Sequence, residues 1–275
     1  MKPVSVLVLT FNEEKNLPVC LESIAWSDDV VVFDSCCTDA TADVARRAGA
    51  RVICRPFDNY GAQREAARRA AGFKYPWLLV LDADERPDGM LVEEISRIAT
   101  STGKSFAACA MRRKDHFFGR WIPHCTLYPT WHIRFFRHVE AHYEERAVHE
   151  YPVVTGPVYR LPGHILHEPF SKGLDEWRER HVRYARFEAQ ENLRAFESGH
   201  YDIPGLFAFT DPVRRRRSLK LLSMRLPCRP LLRFLYMYVL RMGFLDGRPG
   251  LEYCKLMKWY EGMIIKNMKL IMSEK

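Results

Sequence analysis

Along the first hundred residues, short apolar runs alternate with stretches whose apolar positions recur every three or four residues. Residues 4–9 (VSVLVL), 30–33 (VVVF), 51–54 (RVIC) and 78–81 (LLVL) read as strands. Between them, residues 16–25 carry Leu17, Leu21 and Ile24 at helical spacing. Helices are also predicted up to residue 48, where Gly49 ends one, over 61–71 and over 90–100. Such alternation predicts right-handed βαβ units and a mostly parallel sheet flanked by helices, an α/β fold.

Two of these strands end in acids. Residues 30–33 run into Asp34, and 78–81 into Asp82, Asp84 and Glu85. Asp82 and Asp84 are two apart, so on a continuing strand both face one side. A focus of negative charge this dense calls for a counter-charge. A hard divalent ion shared with substrate phosphates supplies it. Capping of the helix at 90–100 is the competing explanation, but three acids in four residues exceed what one cap needs. In open parallel sheets, ligands bind beyond the carboxyl ends of the strands. No GxGxxG follows the first strand and no GxxxxGK[ST] occurs, which argues against dinucleotide oxidoreductases and P-loop enzymes.

Length and composition add limits. A chain of 275 residues, 47% apolar, makes one large domain or one with an appendage. Eight scattered cysteines without a CxxC pair point to reduced thiols in cytosol. Residues 4–9 are too short for a signal peptide, and no apolar run reaches the roughly 18–20 residues of a spanning helix. The net charge of +8 is uneven: residues 214–275 hold 15 Lys and Arg against 4 acids, and residues 1–213 hold 27 against 30. Arg229, Arg233 and Arg241 fall within an arc of about 120° on a helix over 231–245, followed by a turn at 246–250. Beyond it Lys255, Lys258, Lys266 and Lys269 fall within about 80°. Broad apolar faces with narrow basic stripes suit an anionic membrane surface. A helical hairpin with a solvated basic face is the plainer alternative. Nucleic acid is not expected, since no zinc-finger, KH or RNP pattern accompanies the charge.

Three segments carry a family resemblance: VSVLVLTFNEE (4–14), VVFDSCCTDAT (31–41) and LLVLDADE (78–85). Their order and spacing resemble the inverting family 2 glycosyltransferases of the GT-A fold. Residues 134–136 (RFF), 148–150 (VHE) and 243–247 (GFLDG) resemble a narrower subgroup, the lipopolysaccharide core glucosyltransferases. The resemblance implies a Rossmann-like nucleotide-diphospho-sugar transferase domain at 1–170 and a helical, basic region at 171–275. It further implies transfer of a sugar, glucose in the subgroup, from a UDP-sugar to a lipid-linked saccharide such as lipopolysaccharide inner core. Mg²⁺ or Mn²⁺ would assist, in a cytoplasmic protein peripheral at the inner face of the cytoplasmic membrane. Cys37, Ala40 and Glu65 depart from the usual serine, glycine and asparagine, and Glu65 thereby loses the family's support for a donor contact.

Such a reaction asks for charge neutralisation on the departing diphosphate and a base for the acceptor hydroxyl. Asp84 is the expected metal ligand, with Asp82 on the metal or the ribose. The resemblance sends Asp34 to the uracil and Thr10, Asn12 and Glu13 to the nucleoside, with Asp39 beside them; Asp39 could equally cap a helix. Gln63 and Arg64 open a helix near the diphosphate, unless they belong to a solvated face with Arg68 and Arg69. Arg134 is a further diphosphate candidate. Glu150 is the expected general base, with His149 orienting it or reaching the metal, and Glu144 and Glu145 as rivals. His116, His124, His132, His138, His142, His149, His164 and His167 invite a zinc reading, but no HExxH or finger spacing supports it. Residues 112–138 read as an acceptor-side loop in which Trp121, Tyr128 and Trp131 stack on a sugar or fill a core. Two other classes stay open: a nucleotidyltransferase, and a non-catalytic protein binding sugars or lipid surfaces. Cys36-Cys37 takes no role from the sequence.

Overall fold

Each apolar run of the first hundred residues forms a strand: β1 (Lys2–Thr10), β2 (Ser27–Asp34), β3 (Arg51–Cys54) and β4 (Trp77–Asp82). Helices α1 (Leu17–Ser23), α2 (Thr41–Arg47) and α3 (Tyr60–Ala70) connect them. A short β5 (Glu85–Pro87) and α4 (Gly89–Thr100) follow, then β6 (Ala108–Phe117), β7 (Arg120–Trp121), β8 (Trp131–Arg137), β9 (Ala141–Tyr143), β10 (Pro152–Val154) and β11 (Val158–His167). The computed structural model describes residues 1–101, 106–126, 128–145, 150–197, 202–209, 211–224, 226 and 228–274. The chain divides into two compact units, Met1–Gly173 and Leu174–Lys275.

In the first unit the sheet order is β3-β2-β1-β4-β8-β6-β11-β5, with β7 paired to β6. The β3-β2-β1-β4 half is parallel, β8 runs antiparallel to both neighbours, and β6 and β11 are parallel. Strands β1 and β4 are buried on both faces, which is why they read as unbroken apolar runs. Val6, Val8, Leu79 and Leu81 pack on one side with Leu17 of α1 and Leu91 and Ile95 of α4. Leu7, Leu78 and Val80 pack on the other with Ala67 of α3. Helix α4 lies so close to the sheet that a Cβ on Gly163 would stand 2.4 Å from the Leu91 nitrogen.

Register fixes where the acids emerge. Thr10 pairs with Asp34 and Leu9 with Asp82, so both carboxylates flank the end of β1. Residues 112–138 are largely not the expected loop. Much of the segment belongs to β6, β7 and β8.

The second unit is helical: α5 (Leu174–Glu197), a 3₁₀ turn (Pro204–Phe207), α6 (Pro212–Ser223), α7 (Arg229–Leu235), a π turn (Tyr236–Leu240), a second 3₁₀ turn (Gly243–Asp246) and α8 (Gly247–Ser273). Ala185 and Ala189 of α5 pack on Tyr260 and Ile264 of α8. The buried Glu188 accepts from the Tyr260 hydroxyl at 2.6 Å and from Lys220. Two expectations change here. Residues 246–250 do not form a separate turn but lead into α8, where a side chain on Gly250 would strike the Gly243 carbonyl at 2.4 Å. The arginine stripe is also not wholly offered to solvent: Arg229 is buried, 3.1 Å from Glu261, while Arg233 and Arg241 are half-buried. An arginine and a glutamate taken out of water together must face each other, and that turns the helix over.

Candidate active site

Strand β4 ends at Asp82, and the chain turns at once. The Glu85 carboxylate accepts from the Asp82 backbone N–H at 3.0 Å, closing residues 82–85 into a ring. Asp82 and Asp84 therefore do not share a strand face as expected. Asp82 lies between two guanidiniums, accepting from Arg64 Nη2 at 2.8 Å and from Arg134 Nη2 at 2.8 Å. Burial would raise the Asp82 pKa, but the two arginines outweigh it and hold the carboxylate well below its usual range. Asp84 instead faces His167, with Oδ2 3.4 Å from Nε2. The cap of α4 falls to Asp88, which accepts from the Leu91 N–H at 2.9 Å and leaves the three earlier acids to other duties.

Arg64, on the first turns of α3, joins distant parts of the chain. Its Nε donates to Glu150 Oε1 at 2.5 Å while Nη2 holds Asp82, and Nη1 is buried with no hydrogen-bond partner among the described residues. Arg134, from β8, also donates to the fully buried Glu85 at 3.0 Å. Glu150 is thus brought to the acid cluster, while His149 lies outside the described residues. Glu144 accepts from the Tyr151 N–H at 3.4 Å within the β9–β10 hairpin, and Glu145 is exposed. Gln63 is buried and donates to Ser35 Oγ at 3.0 Å, so its amide braces the strand ends. Glu65 accepts from the Tyr143 N–H at 3.0 Å and pairs with Arg68 at 2.7 Å. Burial opposes its ionisation, but Arg68, the Tyr143 N–H and Arg69 bring the carboxyl down to about 2.

The loops after β1 and β2 brace each other. Thr10 Oγ1 donates to Asp34 Oδ1 at 3.1 Å, and the Cys37 N–H donates to Asp34 Oδ2 at 3.0 Å. Asn12, in the left-handed region at φ 54°, accepts from the Thr38 N–H at 2.9 Å. Glu13 accepts from Lys172 Nζ at 2.7 Å, and burial raises its pKa. Asp39 accepts from the Thr41 N–H at 3.0 Å and the Glu14 N–H at 3.2 Å, and so ties the loop after β2 to the loop after β1. Cys36 stands 2.7 Å, sulfur to sulfur, from Cys54 at the end of β3.

Residues 5–154 match the family model described as Glycosyl transferase family 2. The chain belongs to this family. Among proteins similar to this glycosyltransferase is LpsC of Rhizobium meliloti, a lipopolysaccharide core biosynthesis glycosyltransferase. It is 26% identical over 219 residues, covering 77% of this chain and 78% of LpsC. The uncharacterized glycosyltransferase RT0209 of Rickettsia typhi is 34% identical over 102 residues, 37% of this chain and 34% of its own. Solved structures with similar regions include glucosyl-3-phosphoglycerate synthase of Mycobacterium tuberculosis, in complex with Mg²⁺ and UDP. Its TM-score is 0.35 at 22% identity, over 41% of this chain and 44% of that one. TarS of S. aureus gives a TM-score of 0.43 at 17% identity, over 98% of this chain and 54% of that one.

Beside the acids of this glycosyltransferase stand His167 and two residues that the sequence did not single out, Arg113 and Asp115. Asp115 and Arg113 of β6 pair at 2.9 Å, and His167 Nδ1 lies 2.5 Å from Asp115 Oδ1. Burial and Arg113 disfavour the imidazolium, but Asp84 and Asp115 at its two nitrogens raise His167 to about 9. The signal available was spacing: residues 113 and 115 share a strand face, and His167 ends a strand as Asp82 does. Among the described residues no three metal-ligating side chains converge on one point. An ion shared with a diphosphate needs only one or two protein ligands. Asp84 supplies an oxygen donor of that kind, and the adjacent His167 a nitrogen donor only once its imidazolium gives up the Nε2 proton, whereas both Asp82 oxygens already accept from arginines.

Proposed function

We propose that this glycosyltransferase moves a hexose, glucose in particular, from a UDP-sugar to a lipid-linked saccharide of the lipopolysaccharide inner-core kind, with inversion in one displacement. The observation that carries this reading is the convergence of Asp34, Asp82 and Asp84 with the guanidiniums of Arg64 and Arg134 at one edge of the sheet. Acids alone would repel a diphosphate; acids interleaved with two arginines can exchange partners with it. Asp34 keeps lone pairs beyond those it gives to Thr10 and Cys37, enough to accept a uracil N–H.

In this reading Arg64 and Arg134 turn from Asp82 to the diphosphate oxygens and orient the bond to be broken. Asp84, with His167 beside it, would hold Mg²⁺ or Mn²⁺, which when bound stabilises charge on the leaving diphosphate. Glu150, already gathered to Arg64, takes the proton of the acceptor hydroxyl at its carboxylate. The likeness to LpsC over most of the chain supports an acceptor of the lipopolysaccharide core type. Lys255, Lys258, Lys266 and Lys269 stand exposed on α8, which supports attachment to an anionic membrane surface at the cytoplasmic face.

A panel of nucleotide sugars, each with and without Mn²⁺ and followed by thermal unfolding, tests the donor. A UDP-sugar at a hundred times its Kd should stabilise by about 2.7 kcal/mol, and only with the metal. Stabilisation by another nucleotide class alone, or release of pyrophosphate in place of UDP, would overturn the proposal.

A further inference from the structure

Helix α7 and the turns after it are inverted with respect to water. Arg229 turns inward onto Glu261 of α8, the two being 7% and 5% exposed, and the half-buried Arg233 leans the same way, with Nη1 4.0 Å from Glu261. Leu231, Leu235 and Val239 form one exposed row, and Leu232, Tyr236 and Leu240 the next. Phe244 and Leu245 extend this surface, with Leu240 74% exposed. Spacing of four residues makes the two rows a single helical face. A soluble helix places such a face against its own core, and contiguous exposed apolar surface of this kind marks an interaction site.

Charge selects the partner. The segment 214–275 carries 15 Lys and Arg against 4 acids, and Arg215 to Phe209 forms a cation–π contact at 4.6 Å on an exposed ring. A second copy of this chain would bring a second cationic segment against the first, whereas an anionic lipid leaflet offers the opposite sign. Exposed leucines among aromatic and basic residues match the acyl-headgroup boundary. We infer that the outward face of residues 231–245 inserts into an anionic lipid surface, with the basic residues around it holding the headgroups. This deepens the membrane reading above and rests on it. It moves the contact from the lysines of α8 to the leucines of α7 and its turns.

Vesicle flotation with the full chain tests the inference. The probe is phosphatidylcholine vesicles with or without about 30% phosphatidylglycerol. The wild-type chain should bind the anionic vesicles, and L235E/L240E should lower partitioning at least about tenfold with an unchanged thermal melt. Tryptophan at residue 240 (Leu240→Trp) should be quenched by brominated acyl chains. Binding by L235E/L240E equal to wild type, or a bound but unquenched Leu240→Trp variant, would overturn insertion and leave a purely electrostatic attachment standing. Failure to bind any vesicle would remove the membrane reading as well. A dimer seen by light scattering and broken by L235E/L240E, with no lipid binding, would assign the face to a second copy instead.

Discussion

Arg64 Nε lies 2.5 Å from Glu150 Oε1, joining side chains 86 positions apart in sequence at the mouth of the sheet. Both are largely buried, and the same guanidinium holds Asp82. Arg64→Met leaves two carboxylates without their shared cation. It should cost about 3–5 kcal/mol in urea unfolding. Arg64→Lys should recover part of the stability but not donor binding by calorimetry, because an ammonium cannot reproduce the fork.

Glu150→Gln keeps the shape and an acceptor oxygen for Arg64. Turnover should fall by about two to four orders of magnitude while the Kd for the donor stays near wild type. If donor affinity collapses with turnover, Glu150 is a binding residue and the base lies elsewhere.

Asp84 and Asp88 separate two duties that the sequence left joined. Asp84→Asn and His167→Gln should weaken Mn²⁺ binding measured by calorimetry with UDP present. Asp88→Ala should cost about 1 kcal/mol of stability through the lost cap of α4 and leave Mn²⁺ binding unchanged. An Asp84→Asn variant with intact Mn²⁺ affinity would move the metal to other ligands.

Cys36 and Cys54 should form a disulfide with glutathione disulfide as oxidant, each linkage passing two electrons to it and releasing two glutathiones. The hydrogen bond shared with Cys54, followed by desolvation, pushes the Cys36 thiol up to about 11. Its thiolate is scarce at neutral pH, so the reaction should quicken by about a hundredfold between pH 7 and pH 9. Mass spectrometry reads the loss of two hydrogens, and Cys36→Ser should abolish it.

His181 gives the helical unit an acid sensitivity. Burial lowers its pKa to about 3, with the ring stacked on Trp177 at 3.5 Å and Nδ1 2.7 Å from the Trp177 carbonyl. Below the ordinary value of about 6.5 the unfolded chain takes up a proton that the folded chain refuses until about pH 3. Stability is therefore whole above pH 6.5 and falls through the window from 6.5 to 3, by about 2 kcal/mol at pH 5. His181→Phe should flatten that slope in acid titrations of the melting temperature.

What could be read from the sequence was what is local. Continuous apolar runs announced β1, β2 and β4, and the acids ending two of them announced the edge where Asp34 and Asp82 emerge. Arg64 and Arg134 were named for a diphosphate, and the fold brings them together on Asp82, a meeting that no spacing encodes. His167 was named only among the histidines of a zinc reading, and its place was missed because its partners come from register: β11 sets it opposite Asp115 on β6 and Glu85 on β5. The arc of arginines around 229–241 was legible, but which side of the helix faces solvent depends on Glu261, some thirty residues on. Asp39 had two readings, and its bonds to the Thr41 and Glu14 N–H groups place it between the loops after β1 and β2.

The ring that Glu85 closes onto the Asp82 nitrogen has a consequence for how this chain can drift. Four residues, 82 to 85, must span a fixed gap between a strand end and the first residue of the next strand. One residue more or fewer would open that bond and pull the buried Glu85 away from Arg134. Side-chain exchange at Ala83 is open to experiment, but insertion or deletion anywhere in the tetrad is closed, so its length should tolerate less change than its spelling.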